Sequence, residues 1–159
     1  MADEAAGPER GAPAPPKIGV RLAPSGDGGE LLADARALEN AGVDAIWADA
    51  REGDPYVILA ACGAVTWRVA LVARGDPHGS ARATCERLTR GRLVVAEEVA
   101  DRWADVAFPP DRSAWRAMLA EASATGAVGV VVGNDPRLLD LLRNPDQEID
   151  RSDLNIAVG

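Results

Sequence analysis

Apolar and polar positions alternate between two periods along most of this chain, and each switch marks an element. Residues 17–22 (KIGVRL) form a short strand-like run ended by Pro24. Beyond the turn-rich SGDGGE segment, Leu31, Leu32, Ala35, Leu38 and Ala41 recur at helical spacing while Glu30, Asp34, Arg36 and Glu39 face away. Asp27 is placed to cap this helix, and Gly42 to end it in the left-handed conformation. Residues 45–48 then read as a strand. Asp54 and Pro55 supply a cap and a first-turn proline for a second helix, and residues 56–65 are apolar on nearly every side. Such a helix is buried in its own chain or covered by a partner. Residues 69–73 (VALVA) have the unbroken apolar character of a strand covered on both faces, residues 80–90 make a third helix, and residues 92–96 (RLVVA) a fourth strand.

The second half is less regular. Residues 101–108 (DRWADVAF) read as a short strand or as a loop over Trp103. A helix starts near Pro110 and Asp111, carries Trp115, Met118, Leu119 and Ala122 on one face, and stops at Gly126. Residues 128–132 (VGVVV) are the most strand-like in the chain. Asn134, Asp135 and Pro136 combine cap and first-turn proline for a helix over RLLDLLR, which Pro145 ends. Residues 154–158 (LNIAV) add a possible last strand. Residues 1–16 mix Ala, Pro, Gly and charge without an apolar period, so a disordered tail is expected there and a single domain over 17–159.

Strand and helix thus alternate, the signature of a parallel sheet with helices packed on it. The pattern alone allows either an open doubly wound sheet or a barrel. A complete barrel takes ~250 residues, so at 159 residues this would be an abbreviated one.

Composition narrows the partners. With a net charge of −8 and a pI near 4.6, the chain lacks the clustered Lys and Arg that nucleic acid or an anionic membrane surface requires. Cys62 and Cys85 sit singly inside helical patterns, as reduced thiols of a cytoplasmic protein do. No basic-then-apolar leader opens the sequence, and no apolar run approaches the ~20 residues that span a bilayer.

Three stretches carry a resemblance. LLADARALENAGVDAIWADA, followed by DPYVILAACGAVTWRVALVA, resembles the opening of the luciferase-like monooxygenase family, where a unit of the form ALE-x-AG-x-D-x-x-W leads to DP-x-x-x-LAA-x-A-x-T-x-R. HGSARATCERLTRGRL is similar to that family's next helix and strand. The segment from Ala120 to Gly159 is similar to the end of its shorter members. Together they span residues 17–97 and 110–159. The resemblance implies an abbreviated β/α (TIM-type) barrel of about six to eight parallel strands. It implies FMN or a deazaflavin coenzyme at the carboxyl ends of the strands, a small-molecule substrate, and often a homodimer. It places the ring near the end of the third strand, at Ala73 and Arg74, with a cis peptide between them, and matches Asp49 to an acidic position. The family commonly has His after that acid, where this chain has Ala50, and its long insertion between the middle strands is absent.

Candidate chemistry is sparse. Gly133, Asn134 and Asp135 follow a buried strand and open a helix, so backbone N–H groups there, with Arg137, suit a cofactor phosphate, or else simply form a capped helix. His78 is the sole histidine and the one weak candidate for acid–base work, against the plainer reading of a polar residue at a helix start. Arg74 can neutralise a reduced flavin or a phosphate, or pair with Asp49 or Asp76. Asp49 can orient a substrate, or merely be solvated. Trp47, Trp67, Trp103 and Trp115 read as core and interface anchors. Arg82, Arg87, Arg90 and Arg92 read as a solvated face balanced by Glu86, Glu97 and Glu98. No dinucleotide fingerprint, P-loop, zinc spacing or Ser-His-Asp set is present in the sequence. Two functions follow: a flavin- or deazaflavin-dependent oxidoreductase, whose cofactor does the chemistry, or a degenerate barrel that binds or assists, as a homodimer through the helix at 56–65.

Overall fold

A computed structural model describes residues 14–24, 27–75, 81–99 and 102–144. Among these residues six strands and five α-helices alternate except between β4 and β5: β1 (Lys17–Arg21), α1 (Gly28–Asn40), β2 (Ala45–Asp49), α2 (Pro55–Val65), β3 (Ala70–Arg74), α3 (Ala81–Leu88), β4 (Leu93–Val95), β5 (Trp103–Asp105), α4 (Arg112–Ala124), β6 (Gly129–Gly133) and α5 (Leu138–Arg143). All strand pairs are parallel and the order is β4-β3-β2-β1-β6-β5. The sheet is curled into a half-barrel with helices on its convex side, an abbreviated β/α barrel.

That order is the arc of a ring. β6 lies beside β1, as the last strand of a barrel lies beside the first, and β5 lies beyond it. The break falls between β4 and β5, and the described residues between them hold a 3-10 turn, Ala96–Glu98, and no crossover α-helix.

The curl can be read from contacts across the concave side. Four strand spacings of ~4.8 Å, roughly 19 Å, would separate β3 from β5 in a flat sheet. Yet Arg74 Nη1 on β3 donates to Asp105 Oδ2 on β5 at 2.8 Å. Trp47 on β2 and Trp103 on β5 meet edge to face, with ring centroids 5.7 Å apart.

Each strand divides its side chains between two cores. Val20, Ile46, Ala48, Leu71, Ala73 and Val132 point outward into the layer beneath the helices. Ala45, Trp47, Val72 and Val131 point into the trough, with Val94, Val99 and Trp103 packed against them. Space for the two indoles comes from glycine. A Cβ on Gly19 would stand 2.7 Å from Trp47 Nε1, and one on Gly129 would stand 2.6 Å from Trp103 Cζ3.

The helix starts follow their caps. Asp27 Oδ1 accepts the Glu30 N–H, Asp54 Oδ1 the Tyr56 N–H, and Asp111 Oδ1 the Ala114 N–H. Gly42 and Gly126 take the left-handed conformation, φ 88° and 76°, at the ends of α1 and α4. α2 is apolar all round because it lies between the sheet, α1 and α3. Tyr56, Ile58, Leu59 and Cys62 are buried there within the chain, and Val57 is the large apolar side chain it leaves exposed. Most of α2 is therefore taken up by the chain's own core, with Val57 left on its outer side.

Three expectations need correction or fall elsewhere. The Ala73–Arg74 peptide is trans, the ordinary state of a bond not preceding proline, and β3 carries its ladder to β2 through it. α5 begins at Leu138 without a side-chain cap. The Asp135 carboxylate accepts the N–H and the guanidinium of Arg137 instead, so residues 134–137 form a turn ahead of the helix. The expected tail, His78, Asp76 and the strand at 154–158 lie in or run into residues outside those described.

Candidate functional site: the carboxyl mouth of the half-barrel

The carboxyl ends of β1, β2, β3 and β5 bring charged side chains to the mouth of the trough, and β6 ends there in Gly133. Arg21 and Gly133 are in register, as are Asp49 and Arg74. From the other arm of the curl comes Asp105, whose Oδ2 accepts Arg21 Nη2 at 2.5 Å and Arg74 Nη1 at 2.8 Å. Partial burial alone would raise the Asp105 carboxyl, but hydrogen bonds from Arg74 and Arg21 outweigh it and hold the group below its usual range. Two guanidiniums thus share one carboxylate. The Arg74 guanidinium also lies over the Trp47 ring, 5.1 Å from its centroid.

Asp49 forms a second, separate pair. Its Oδ1 accepts the Arg51 N–H at 2.9 Å and Nε at 3.1 Å, and Oδ2 accepts Nη2 at 2.8 Å. The Arg51 side-chain bonds outweigh burial and hold the carboxyl at about 2. A carboxylate so engaged is an anchor for the turn after β2 and a poor base. Ala50, at the position where the resemblance would have His, lies against Gly75, whose Cβ would meet that of Ala50 at 2.7 Å.

The sequence-predicted residues therefore separate. Asp49, Arg74 and Gly133 stand at the mouth. The Ala73 side chain is on the convex face, fully buried under the helices, so only its backbone faces the strand ladder. Asn134 donates its N–H to Arg21 O and its Nδ2 to Asp34 Oδ2, tying β6 to β1 and α1. Arg137 turns away, pairing with Asp135, donating to Pro110 O and stacking on Phe108. Asp135 occupies the donors that a phosphate would need. Arg21, Arg51 and Asp105 were missed from the sequence. Arg21 occupies an inward position near the end of a predicted strand, a legible signal. Asp105 became legible only with the register of β5.

Among the described residues no group of His, Cys, Asp and Glu is arranged to hold a metal ion. No helix among them is long and apolar enough to cross a membrane. No family model matches the chain, and no curated protein does.

A flavin ring has a definite space requirement at this mouth. At the level of Trp47, which is 1% exposed, the trough is occupied by the two indoles with Val72 and Val131, and a space of about 220 Å³ is left at its amino end between Ala45, Ala70, Val94 and Val99. Above the indoles the Arg21–Asp105–Arg74 bridge spans the opening. Among the described residues a tricyclic ring finds no place between the indoles and the bridge, and across the mouth it would meet side chains already bonded to one another, so these residues do not fit FMN or a deazaflavin held at the carboxyl end of the trough.

Proposed function

We propose that this chain is a luciferase-like half-barrel that serves as a binding or accessory subunit and does not complete flavin chemistry by itself. The observation that carries this reading is the obstructed carboxyl half of the trough: Trp47 and Trp103 meet across it and Asp105 bridges Arg21 and Arg74 above them. The open side between β4 and β5 points the same way, because a reactive flavin has to be kept from water and residues 96–102 offer little chain to cover it.

A second reading, a flavin- or deazaflavin-dependent oxidoreductase acting on a small molecule, is favoured by one feature. Arg21 and Arg74 bring two positive charges against one carboxylate to the rim where barrel active sites lie.

Titrating the protein with FMN and with the deazaflavin coenzyme, read by visible absorbance, separates the two. The accessory reading expects no saturable change at micromolar ligand. Micromolar binding that Arg74→Gln abolishes, with hydride transfer in the loaded protein, would overturn it. Homodimerisation belongs to the accessory reading, and light scattering checks it: a dimer mass is expected, and a monomer at working concentration removes that part of the proposal.

A further inference from the structure

The half-barrel keeps unfilled space at the end opposite the mouth. A pocket of about 220 Å³ lies at the amino end of the trough, reaching from β1 to the two arms at the break. It exists because the inward layer there is small. Gly19, Ala45 and Ala70 stand side by side in register on β1, β2 and β3. The Trp47 indole covers Gly19, while Ala45 and Ala70 face the open space. A complete barrel packs its interior with bulky branched side chains; here two alanines and the break leave room for another molecule.

The walls of this pocket are apolar. Val72 and Trp103, which pack with Trp47, form its floor, and Val94 and Val99 bound it on the β4 side. Charge enters at the rim. Lys17 opens β1 two residues ahead of the inward-facing Gly19, so strand alternation turns its side chain to the concave side as well. It lines the pocket together with Arg102, which leads into β5. Among the described residues no carboxylate is ion-paired with either cation, and no Asp or Glu lines the pocket. In a chain of net charge −8, the charges described at this pocket are both positive.

Size and charge together select the occupant. An apolar cavity of roughly 150 Å³ suffices for benzene, so a pocket of about 220 Å³ admits a body of that kind with one small head group. A lysine ammonium is a compact point charge on a flexible stem, which suits a single carboxylate held at a wet rim. We propose that the amino end of the trough binds a small monocarboxylate, its aromatic or branched aliphatic body against Val72, Val94 and Trp103 and its carboxylate at Lys17 and Arg102. The site lies at the end opposite to the one where barrel enzymes do their chemistry, and it stands whichever reading of the mouth holds.

The test is titration of the full chain with sodium benzoate, followed by the methyl resonances of Val72, Val94 and Val99, with benzyl alcohol as the neutral analogue. Benzoate is expected to shift these methyls saturably at millimolar concentration, and to bind more weakly as salt rises. Lys17→Met keeps the apolar stem and removes the charge, so it should weaken benzoate about fivefold and leave benzyl alcohol unchanged. Ala70→Leu fills the pocket and should abolish binding of both, while the melting temperature holds or rises as it does when a void is filled; should that variant fail to fold, Lys17→Met decides. Arg74→Gln, at the mouth, should leave benzoate binding intact. No saturable shift, benzyl alcohol bound as tightly as benzoate, unchanged benzoate affinity in Lys17→Met, or retained binding in folded Ala70→Leu would overturn the proposal. Loss of benzoate binding in Arg74→Gln would overturn it too, by moving the carboxylate to the mouth. FMN binding is read separately by visible absorbance, so failure here and failure of the reading of the mouth are distinguishable.

Discussion

Two glycines decide whether the trough can hold its indoles. Gly19 and Gly129 lie inward on β1 and β6, beneath Trp47 and Trp103, but the neighbours of an added methyl differ. At Gly19 the close atoms are side chains, Trp47 Nε1 at 2.7 Å and Trp103 Cζ3 at 3.1 Å, which can tilt. At Gly129 the nearest is the Lys17 carbonyl oxygen at 2.5 Å, part of the ladder itself. Gly129→Ala is therefore expected to cost about 2–3 kcal/mol and Gly19→Ala about 1 kcal/mol, part of each offset by the reduced backbone freedom of the unfolded chain. Urea midpoints at unchanged slope would show this, and equal, negligible effects would mean that the indoles are loosely held. Trp47 Nε1 is also the buried side-chain polar atom without a hydrogen-bond partner among the described residues. It was legible that Trp47, Trp103 and Trp115 anchor the interior, whereas Trp67, read the same way, stands 68% exposed with the Arg90 guanidinium over its ring. That Trp47 and Trp103 meet on the concave side was not, because nothing local to Gly19 or Gly129 signals an indole, and only strand register places one over each.

At the scale of elements, α2 explains two further sets of residues. Its carboxyl end is caged: Arg90 and Arg92 both donate to the carbonyls of Gly63 and Thr66, where the helix leaves acceptors unsatisfied. The following turn is pinned from α1, because Glu39 accepts the N–H groups of Trp67, Arg68 and Val69 at 2.6–3.0 Å. Burial alone would raise the Glu39 carboxyl, but these three donors outweigh it and hold it below its usual range. A lowered carboxyl contributes stability that is complete above its unfolded value and is lost as pH falls through the folded one. Glu39→Gln is thus expected to cost about 2 kcal/mol near neutral pH and to flatten the acid limb of the stability profile, measured by urea midpoints at neutral and acid pH. On its sides α2 buries Cys62, whose thiol burial pushes up to about 12, and α3 buries Cys85, pushed up to about 11. Both thiols should stay unmodified by a disulfide reagent at neutral pH and react together on unfolding; rapid modification of either in the native protein would contradict this packing. Boundaries of α1, α2 and α4 were readable because Asp27, Asp54 and Asp111 each cap in sequence-local fashion. Arg90 and Arg92 read as a solvated face, because the carbonyls they serve lie more than twenty residues away. The start of α5 was misread for the opposite reason, Asp135 preferring its own Arg137 to the helix.

For the whole molecule the question is what keeps six strands curled with no strand closing the gap. Alternation of strand and helix made the parallel sheet legible, and the weak pattern around Trp103 concealed the break, since β5 has only three residues and no α-helix among the described residues separates it from β4. Two contacts cross the trough: the indole pair and the Asp105 bridge. Trp47 is buried and Trp103 half-buried against it, whereas the bridge stands more open, with side-chain exposures of 26% for each arginine and 44% for Asp105. The apolar contact should therefore dominate, because exposed ion pairs contribute about 1 kcal/mol or less. Asp105→Asn is expected to lower global stability by no more than about that amount. It leaves Arg21 and Arg74 facing each other without their shared carboxylate, so its main effect should be local, loosening the β5 arm against the rest of the sheet. Amide hydrogen exchange then has a definite pattern: faster exchange over residues 103–106, with β1 and β2 unchanged at the protected centre of the order. If Asp105→Asn instead accelerates exchange uniformly, the bridge and not the tryptophan pair sets the curvature. If β5 remains as protected as before, the indoles hold the arm alone and the mouth is free to open for a ligand without unfolding its edge.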